Sequence, residues 1–483
     1  MSTIDLSQPG LRGDNDTPAT AASRPWSITV EQLAYFGLGL LSLVAHFWML
    51  GDRALHHDET LHAAYSWFLY VGRGYIHDPL LHGPLLYYIG AVIYFLFGDN
   101  DTTARLGAAL AGTALTLTPY LLRRELGRPA ALIAAVYLLI SPVALYVGRF
   151  IRHDIYSVLC EILVIAAVVR YHSTRAPRWL AIGAAALGFM AVNQETSYLF
   201  TLIIAVPLIA IFFWKVWKPG VALFFGLGLA AVLLAFVLPA EAQVDGGHNV
   251  QRDPQTGEVL IAKPGFFGWP PLATEDNGYA LRIRNRADND GGRSLLENLG
   301  LYLSELGQFF GHPAVLTGMV LALATIGTMA WAVGMRRNSS GETALEQAVA
   351  RGDRAAIIVQ EILAERRWIA PLLVFLTIYA LFFTAFFSNL LGLITGTSGS
   401  LLYWLAQHNV ERGGQPPHYY LVQLIVYEPL LLIFGSLALI FLGVDYMRNA
   451  KLGMQHAESP GSELEIQKPP LKQSIHRLRP APE

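Results

Sequence analysis

Charge is what this chain has least of. Asp, Glu, Lys and Arg make up 14% of its 483 residues, against about 25% in soluble domains. With 34 basic and 36 acidic residues the net charge is near −2, so no basic field marks a nucleic-acid partner. Cysteine occurs once, as Cys160 in an apolar run, which excludes intrachain disulfides and Cys-x-x-Cys metal knuckles. The start of the chain lacks a short apolar core followed by a cleavage site. Residues 1–28 are polar, contain Pro9, Pro18 and Pro25, and read as a disordered segment rather than a cleaved signal peptide. The tail 447–483, with Pro460, Pro469, Pro470, Pro480 and Pro482, also reads as disordered.

What is present instead is apolar surface: 53% of the residues are hydrophobic. Membrane-length runs fall near 33–50, 102–122, 130–147, 155–169, 179–192, 198–214, 221–238, 315–333, 369–387 and 421–444. Crossing a bilayer as a helix takes about 20 residues, or slightly fewer. Pro84–Phe97 spans only fourteen residues, and at that length an interfacial or re-entrant helix is the expectation. The chain is therefore expected to be an all-α polytopic membrane protein of about ten spans.

The distribution of Lys and Arg orients it. With Pro84–Phe97 in the interface, the connections 123–128, 170–178, 215–218 and 336–367 fall on one side with both termini. That side carries 22 of the 34 basic residues, and by the positive-inside rule it is cytoplasmic. The organisation that follows is a transmembrane core over 29–239 with a long external loop at 51–101, and an external region at 240–312. A C-terminal transmembrane region then covers 313–446, with a cytoplasmic loop at 336–368 and an external loop at 388–420. The cytoplasmic loop shows a helical pattern after Ser339-Ser340, a candidate cap.

On the outer side the short loops combine acids, histidines and arginines: Asp58, Glu59, His62, His82, Arg105, Arg149, Arg152, His153 and Asp154. Adjacent carboxylates at the exit of a span are costly in lipid and must face water, a cavity or a charged ligand. Arg105 sits at the start of the second run, where a guanidinium either snorkels to headgroups or pairs bidentately with phosphate. Arg152 and Asp154 form an interfacial ion pair or part of a site. Six of the fourteen histidines lie in the first two external loops. No His-x-x-x-His pair places two imidazoles on one helix face, so no metal site is assigned. Tyr65, Trp67 and Tyr75 suit either stacking on a sugar or an aromatic membrane belt.

Taken in order, these motifs resemble a known family. An acidic pair Asp58-Glu59 is followed by His82-Gly83-Pro84-Leu85 ahead of a short apolar helix, then Ala104-Arg105-Leu106-Gly107, then Gly148-Arg149-Phe150 running to Asp154. The pattern resembles the C-type (GT-C) membrane glycosyltransferases, in particular the branch holding protein O-mannosyltransferases and lipid A aminoarabinose transferases. Tyr403-Trp404, Gln407-His408, Glu411-Arg412-Gly413-Gly414-Gln415-Pro416 and Tyr419-Tyr420 look like a prokaryotic subfamily named for flippase activity in glycosylation.

The resemblance implies a GT-C-like fold with interfacial helices in its first external loop. It implies transfer of a sugar from a polyprenyl-phosphate donor to an acceptor hydroxyl of a lipid, glycan or protein, in the plasma membrane. The residues themselves lead to the expectation of no cofactor, with a divalent metal held by imidazole and carboxylate as the alternative. The resemblance also implies Asp58 as catalytic base beside Glu59, with Asp154 as the second acid. Where related transferases often carry a lysine after the fifth span, this chain has Asn193-Gln194-Glu195. Donor phosphate contacts then fall to Arg105, Arg152 or Arg412, with His82 and His153 orienting the substrate. The other function class is a flippase, or flippase partner, for lipid-linked saccharides.

Overall fold

The first span starts at a cap that the sequence spells out. Thr29 accepts a hydrogen bond from the Gln32 backbone while the Gln32 side chain bonds back to the Thr29 N–H, a capping box that opens α1 (Val30–Phe47). The computed structural model describes residues 28–75, 77, 81–245, 250–272, 294–401, 416 and 418–457. Through residue 414 the chain forms one unit, and residues 415–483 form a second.

After α1 come α2 (His57–Tyr70), α3 (Leu85–Phe97), α4 (Asp101–Leu117), α5 (Arg123–Leu126), α6 (Arg128–Ile140), α7 (Pro142–Val147) and α8 (Asp154–Thr174). Then follow α9 (Arg178–Ala191), α10 (Thr196–Val216), α11 (Pro219–Phe236), α12 (Leu295–Gly311) and α13 (Pro313–Gly334). The first unit closes with α14 (Ala344–Ala350), α15 (Arg354–Ala364) and α16 (Ile369–Phe383), followed by short helical turns. Between α11 and α12 the described residues hold a two-stranded antiparallel sheet, β1 (Glu241–Ala242) with β2 (Ile261–Lys263), and a 3-10 turn at Phe266–Gly268. The chain is an all-α polytopic membrane protein.

Among the described residues α1, α8, α10, α11 and α13 are each long and apolar enough to cross a membrane unaided, and two bent pairs raise the number to seven. The other apolar runs are interrupted for identifiable reasons. The run at 130–147 breaks at Ser141-Pro142, where the Ser141 hydroxyl caps α7 and Pro142 brings no N–H to continue α6. α4 ends after 17 residues in a 3-10 turn at Thr118–Leu122 that contains Pro119. α15 and α16 meet at 73°.

Ion pairs sort the connections into two ends. Glu31, at the start of α1, lies 3.6 Å from Arg123 and 3.4 Å from Arg128, and Arg170 at the far end of α8 reaches Glu125 at 3.5 Å. Arg175 and Arg367 both meet Glu361, at 3.6 and 3.5 Å. These turns share one end of the bundle, and the opposite ends of α1, α4 and α8 carry Trp48, Arg105 and Asp154. α3 starts and finishes at this second end. Gly83 and Leu85 donate to the carbonyls of Asn193 and Val192, just past α9, and the Gly98 carbonyl accepts from Thr103 on the first turn of α4. α3 packs alongside α2 in the same direction, through His62 on Tyr87, Ser66 under Gly90 and Tyr70 on Tyr94. The core between them holds Tyr75, Leu86, Tyr87, Ala108, Ile155 and Tyr156.

Two expectations need correction. The loop after α13 is not capped at Ser339-Ser340: Thr343 and Glu346 form the capping box that opens α14, and Asp353 caps α15. In the second unit, Tyr419–Tyr427 and the following helix bend by 99° at Glu428-Pro429, and that helix runs on to Ala457. The tail is thus helical over 447–457, a stretch free of proline until Pro460. Residues 1–27 and 458–483 lie outside the described residues.

Candidate active site

The site forms at the end of the bundle where α2, the 81–84 segment, α8 and the 192–195 link meet. α2 opens with its own capping box, in which the His56 imidazole accepts from the Asp58 N–H at 3.2 Å and Glu59 Oε2 accepts from the His56 N–H at 3.0 Å. Successive helical residues point about 100° apart, so the neighbours Asp58 and Glu59 have different fates. Asp58 stays 43% exposed, whereas Glu59 is fully buried.

Glu59 faces Arg105. Its Oε1 accepts from Arg105 Nε at 2.8 Å and its Oε2 from Arg105 Nη2 at 2.9 Å. Arg53 Nη2 at 2.8 Å and the Ile151 N–H at 3.3 Å add further donors. Burial pushes the Glu59 carboxyl upward, but the Arg105 guanidinium and the backbone donors outweigh it, and the group is held below its usual range. Arg105 is 1% exposed and also donates to the carbonyls of Leu50, Arg53 and Ala54. A guanidinium has five N–H donors, and all of them are taken by the protein. Glu59 is therefore not available as a base, nor Arg105 as a phosphate ligand: the pair ties the start of α4 to the loop that follows α1.

Arg152 behaves differently. It is 45% exposed and bridges two acids, with Nη1 3.8 Å from Asp58 Oδ2 and Nε 3.3 Å from Asp154 Oδ2. Asp58 and the Arg152–Asp154 pair, far apart in sequence, thus share one accessible surface. Arg412 lies outside the described residues.

Behind this triad three imidazoles stack edge to face. The His153 ring lies 5.0 Å from His62 and 5.1 Å from His82. Tyr87 donates its hydroxyl to the Leu81 carbonyl at 2.7 Å, so its oxygen is left to accept from His62 Nδ1 at 3.1 Å. Burial, then the charges of His82 and Arg152, lower the His62 pKa to about 4 against an opposing pull from Asp58. His153, at the start of α8, is pushed well below the usual histidine range, mainly by burial. His153 Nε2 meets the Gly83 carbonyl at 3.2 Å, and Asn193 Nδ2 holds the His153 carbonyl at 2.7 Å. Among the described residues no group of three His, Cys, Asp or Glu side chains is arranged to hold a metal ion.

His82 stands on a left-handed backbone, φ 62°, a conformation that costs a non-glycine residue free energy and clusters at functional sites. Gly83 follows where a Cβ would collide with the Val192 carbonyl. The His82 ring is fixed by a residue that sequence reasoning did not single out as a site acid: Glu195 Oε2 lies 2.7 Å from His82 Nδ1. The available signal was an acid at the N-cap of an apolar helix, where a negative charge is favoured. Tyr75 is buried against Tyr87 and Tyr88, and Trp67 Nε1 donates to Asp99 at 2.7 Å, so packing explains both.

One family-model match overlaps the part of the chain that holds most of the site. The family model described as dolichyl-phosphate-mannose-protein mannosyltransferase matches residues 81–240, a range that includes His82, Arg105, Arg152, His153, Asp154 and Glu195 but not Asp58. No curated protein matches. Among solved structures, the crystal structure of ArnT from Cupriavidus metallidurans in the apo state aligns at 18% identity with a TM-score of 0.31. The alignment covers 81% of this chain and 61% of that one, so the chain spans less than two thirds of that protein's length.

Proposed function

We propose that this chain is a membrane glycosyltransferase that moves a sugar from a polyprenyl-phosphate carrier to an acceptor hydroxyl, with Asp58 as general base. The observation that carries the reading is the half-exposed cluster of Asp58, Arg152 and Asp154 backed by His62, His82 and His153. The family-model match over 81–240 supports the donor class.

Asp58 takes the proton of the acceptor hydroxyl as its oxygen attacks the anomeric carbon. The bond from that carbon to the carrier phosphate oxygen breaks, its electron pair leaves on the phosphate, and the configuration inverts. General-base help of this kind is worth roughly 10²–10⁴-fold. Phosphate is a good leaving group without protonation, so a cation that stabilises its growing charge suffices. Arg152 takes that role, with Asp154 setting the guanidinium plane and the buried His62 and His153 setting the shape of the pocket. Glu195 and His82 hold the 81–84 segment against the start of α10. The reaction needs no divalent metal in this scheme, because the arginine supplies the positive charge.

The excess of Lys and Arg in the connections at the far end of the bundle supports an outward-facing site, with both termini cytoplasmic in a plasma membrane. A lipid-anchored donor accounts for a site at the membrane boundary, where the carrier tail stays in lipid while the sugar meets water. Affiliation with the flippase-associated subfamily rests on residues 403–420, most of which lie outside the described residues. Incubating the purified chain with radiolabelled polyprenyl-phosphate sugars and crude acceptor lipids, glycans and proteins tests the reading. Label moving onto an acceptor supports it, while label that only redistributes between leaflets supports a flippase instead.

A further inference from the structure

A second basic recess has a lining distinct from the Asp58 cluster. It is a pocket of about 400 Å³ at the C-terminal end of α1, lined by Arg53, Arg105 and Arg149 together with Met49, Leu50, Leu145 and Tyr146. Every charged residue in that lining is an arginine, and neither Asp58, Arg152 nor Asp154 takes part.

The three charges are not equivalent. Arg105 is neutralised by Glu59 and has no donor to spare. Arg53, which is 49% exposed, shares one Glu59 oxygen and lies over the Phe150 ring at 5.3 Å. Arg149 meets no carboxylate within 4 Å among the described residues. It is held by the Ala45, Trp48 and Met49 carbonyls at the end of α1, at 2.9, 2.6 and 3.4 Å. Those bonds fix the guanidinium and use three of its five N–H groups. With one carboxylate against three guanidiniums, the recess carries an excess of about two positive charges. Beside them, Met49 and Tyr146 leave apolar surface exposed, 58% and 57% respectively.

We propose that this recess binds the phosphate of a membrane lipid, with Arg53 and Arg149 on the phosphate oxygens and the alkyl chain along Met49, Leu145 and Tyr146. Guanidinium groups match phosphate geometry bidentately, and the end of a membrane span is where a lipid headgroup lies. The apolar wall distinguishes a lipid from a small soluble anion, which would gain nothing from it. A bulk anionic phospholipid and a polyprenyl phosphate share this chemistry. The inference does not depend on Asp58 acting as a base.

Native mass spectrometry of the full chain in detergent, titrated with phosphatidylglycerol, farnesyl phosphate and phosphatidylcholine, tests the site. The wild type should retain the two anionic lipids in preference to phosphatidylcholine. The double variant Arg53→Gln/Arg149→Gln should lose about tenfold or more in affinity for them, the scale of charged hydrogen bonds. Leu145→Trp, which fills the recess and leaves both charges, should weaken binding as well and keeps the test valid if the double variant misfolds. Asp58→Asn should bind as wild type does, which separates failure of this site from failure of the transfer reading. Displacement of phosphatidylglycerol by farnesyl phosphate at equal concentration identifies the carrier lipid as the ligand, and the reverse identifies a bulk phospholipid. Anionic-lipid affinity unchanged in Leu145→Trp, or equal to that for phosphatidylcholine in the wild type, overturns the proposal.

Discussion

Glu59 and Arg105 form a two-pronged ion pair, 2.8 and 2.9 Å, with less than 2% of either side chain exposed. Removing Glu59 leaves the Arg105 charge buried without a carboxylate, and removing Arg105 leaves buried Glu59 with only the half-exposed Arg53 as a charged partner; breaking a buried pair costs about 3–5 kcal/mol. Glu59→Gln and Arg105→Ala should therefore lower the thermal unfolding midpoint measured in detergent, while Asp58→Asn, on an exposed residue, should leave it near the wild-type value. Equal midpoints for all three would mean that the pair does not hold the loop after α1.

Acid should destabilise the protein. His62, with its pKa lowered to about 4, takes up a proton more readily in the unfolded chain, whose histidine titrates near 6.5. Its contribution is complete above pH 6.5 and shrinks as pH falls towards 4, by about 3 kcal/mol at most. His153, also depressed, acts in the same direction. Glu59 contributes above its unfolded pKa of about 4.5 and loses that contribution as pH falls through its lower folded value. Unfolding midpoints at pH 7 and pH 5 should differ, and His62→Gln should reduce the difference. Identical midpoints at the two pH values would contradict the assigned burial.

Arg152 should act on the donor. Replacement by Lys keeps the charge but loses the planar fork, and replacement by Ala loses both. Donor KM should rise from wild type to Arg152→Lys to Arg152→Ala, with acceptor KM little changed. An unchanged donor KM in Arg152→Ala would leave the residue as a surface ion pair between Asp58 and Asp154.

Sidedness can be read by thiol labelling in a Cys160→Ala background. Cysteines at the exposed positions His57 and Arg124 lie at opposite ends of the bundle. A membrane-impermeant reagent applied outside should label position 57 in intact cells and position 124 only after the membrane is opened. The reverse pattern would turn the site towards the cytoplasm and remove the proposed acceptors.

How much of this was legible in the sequence depended on how far each signal reaches. Charge is scarce in an apolar chain, so Asp58, Arg152 and Asp154 stood out without any structure, and the fourteen-residue length of Pro84–Phe97 pointed to a helix that does not cross. The separate roles of Asp58 and Glu59 were not legible. They depend on helix phase, fixed by the His56 cap and by Arg105 46 residues away. The Glu195–His82 contact joins residues 113 apart, and a single sequence carries no mark of such a pairing. Hydropathy windows also passed over Pro142 and Pro429, whose missing N–H groups break runs that look continuous by composition.

The most direct measurement is the rate of sugar transfer by Asp58→Asn from a polyprenyl-phosphate donor. The substitution keeps the size of the side chain and removes the basic oxygen, and it touches neither the Glu59–Arg105 pair nor the His82–Glu195 contact. A fall in kcat of about 10²–10⁴-fold, at normal expression and an unchanged unfolding midpoint, is the result the account predicts. Transfer at the wild-type rate would contradict it.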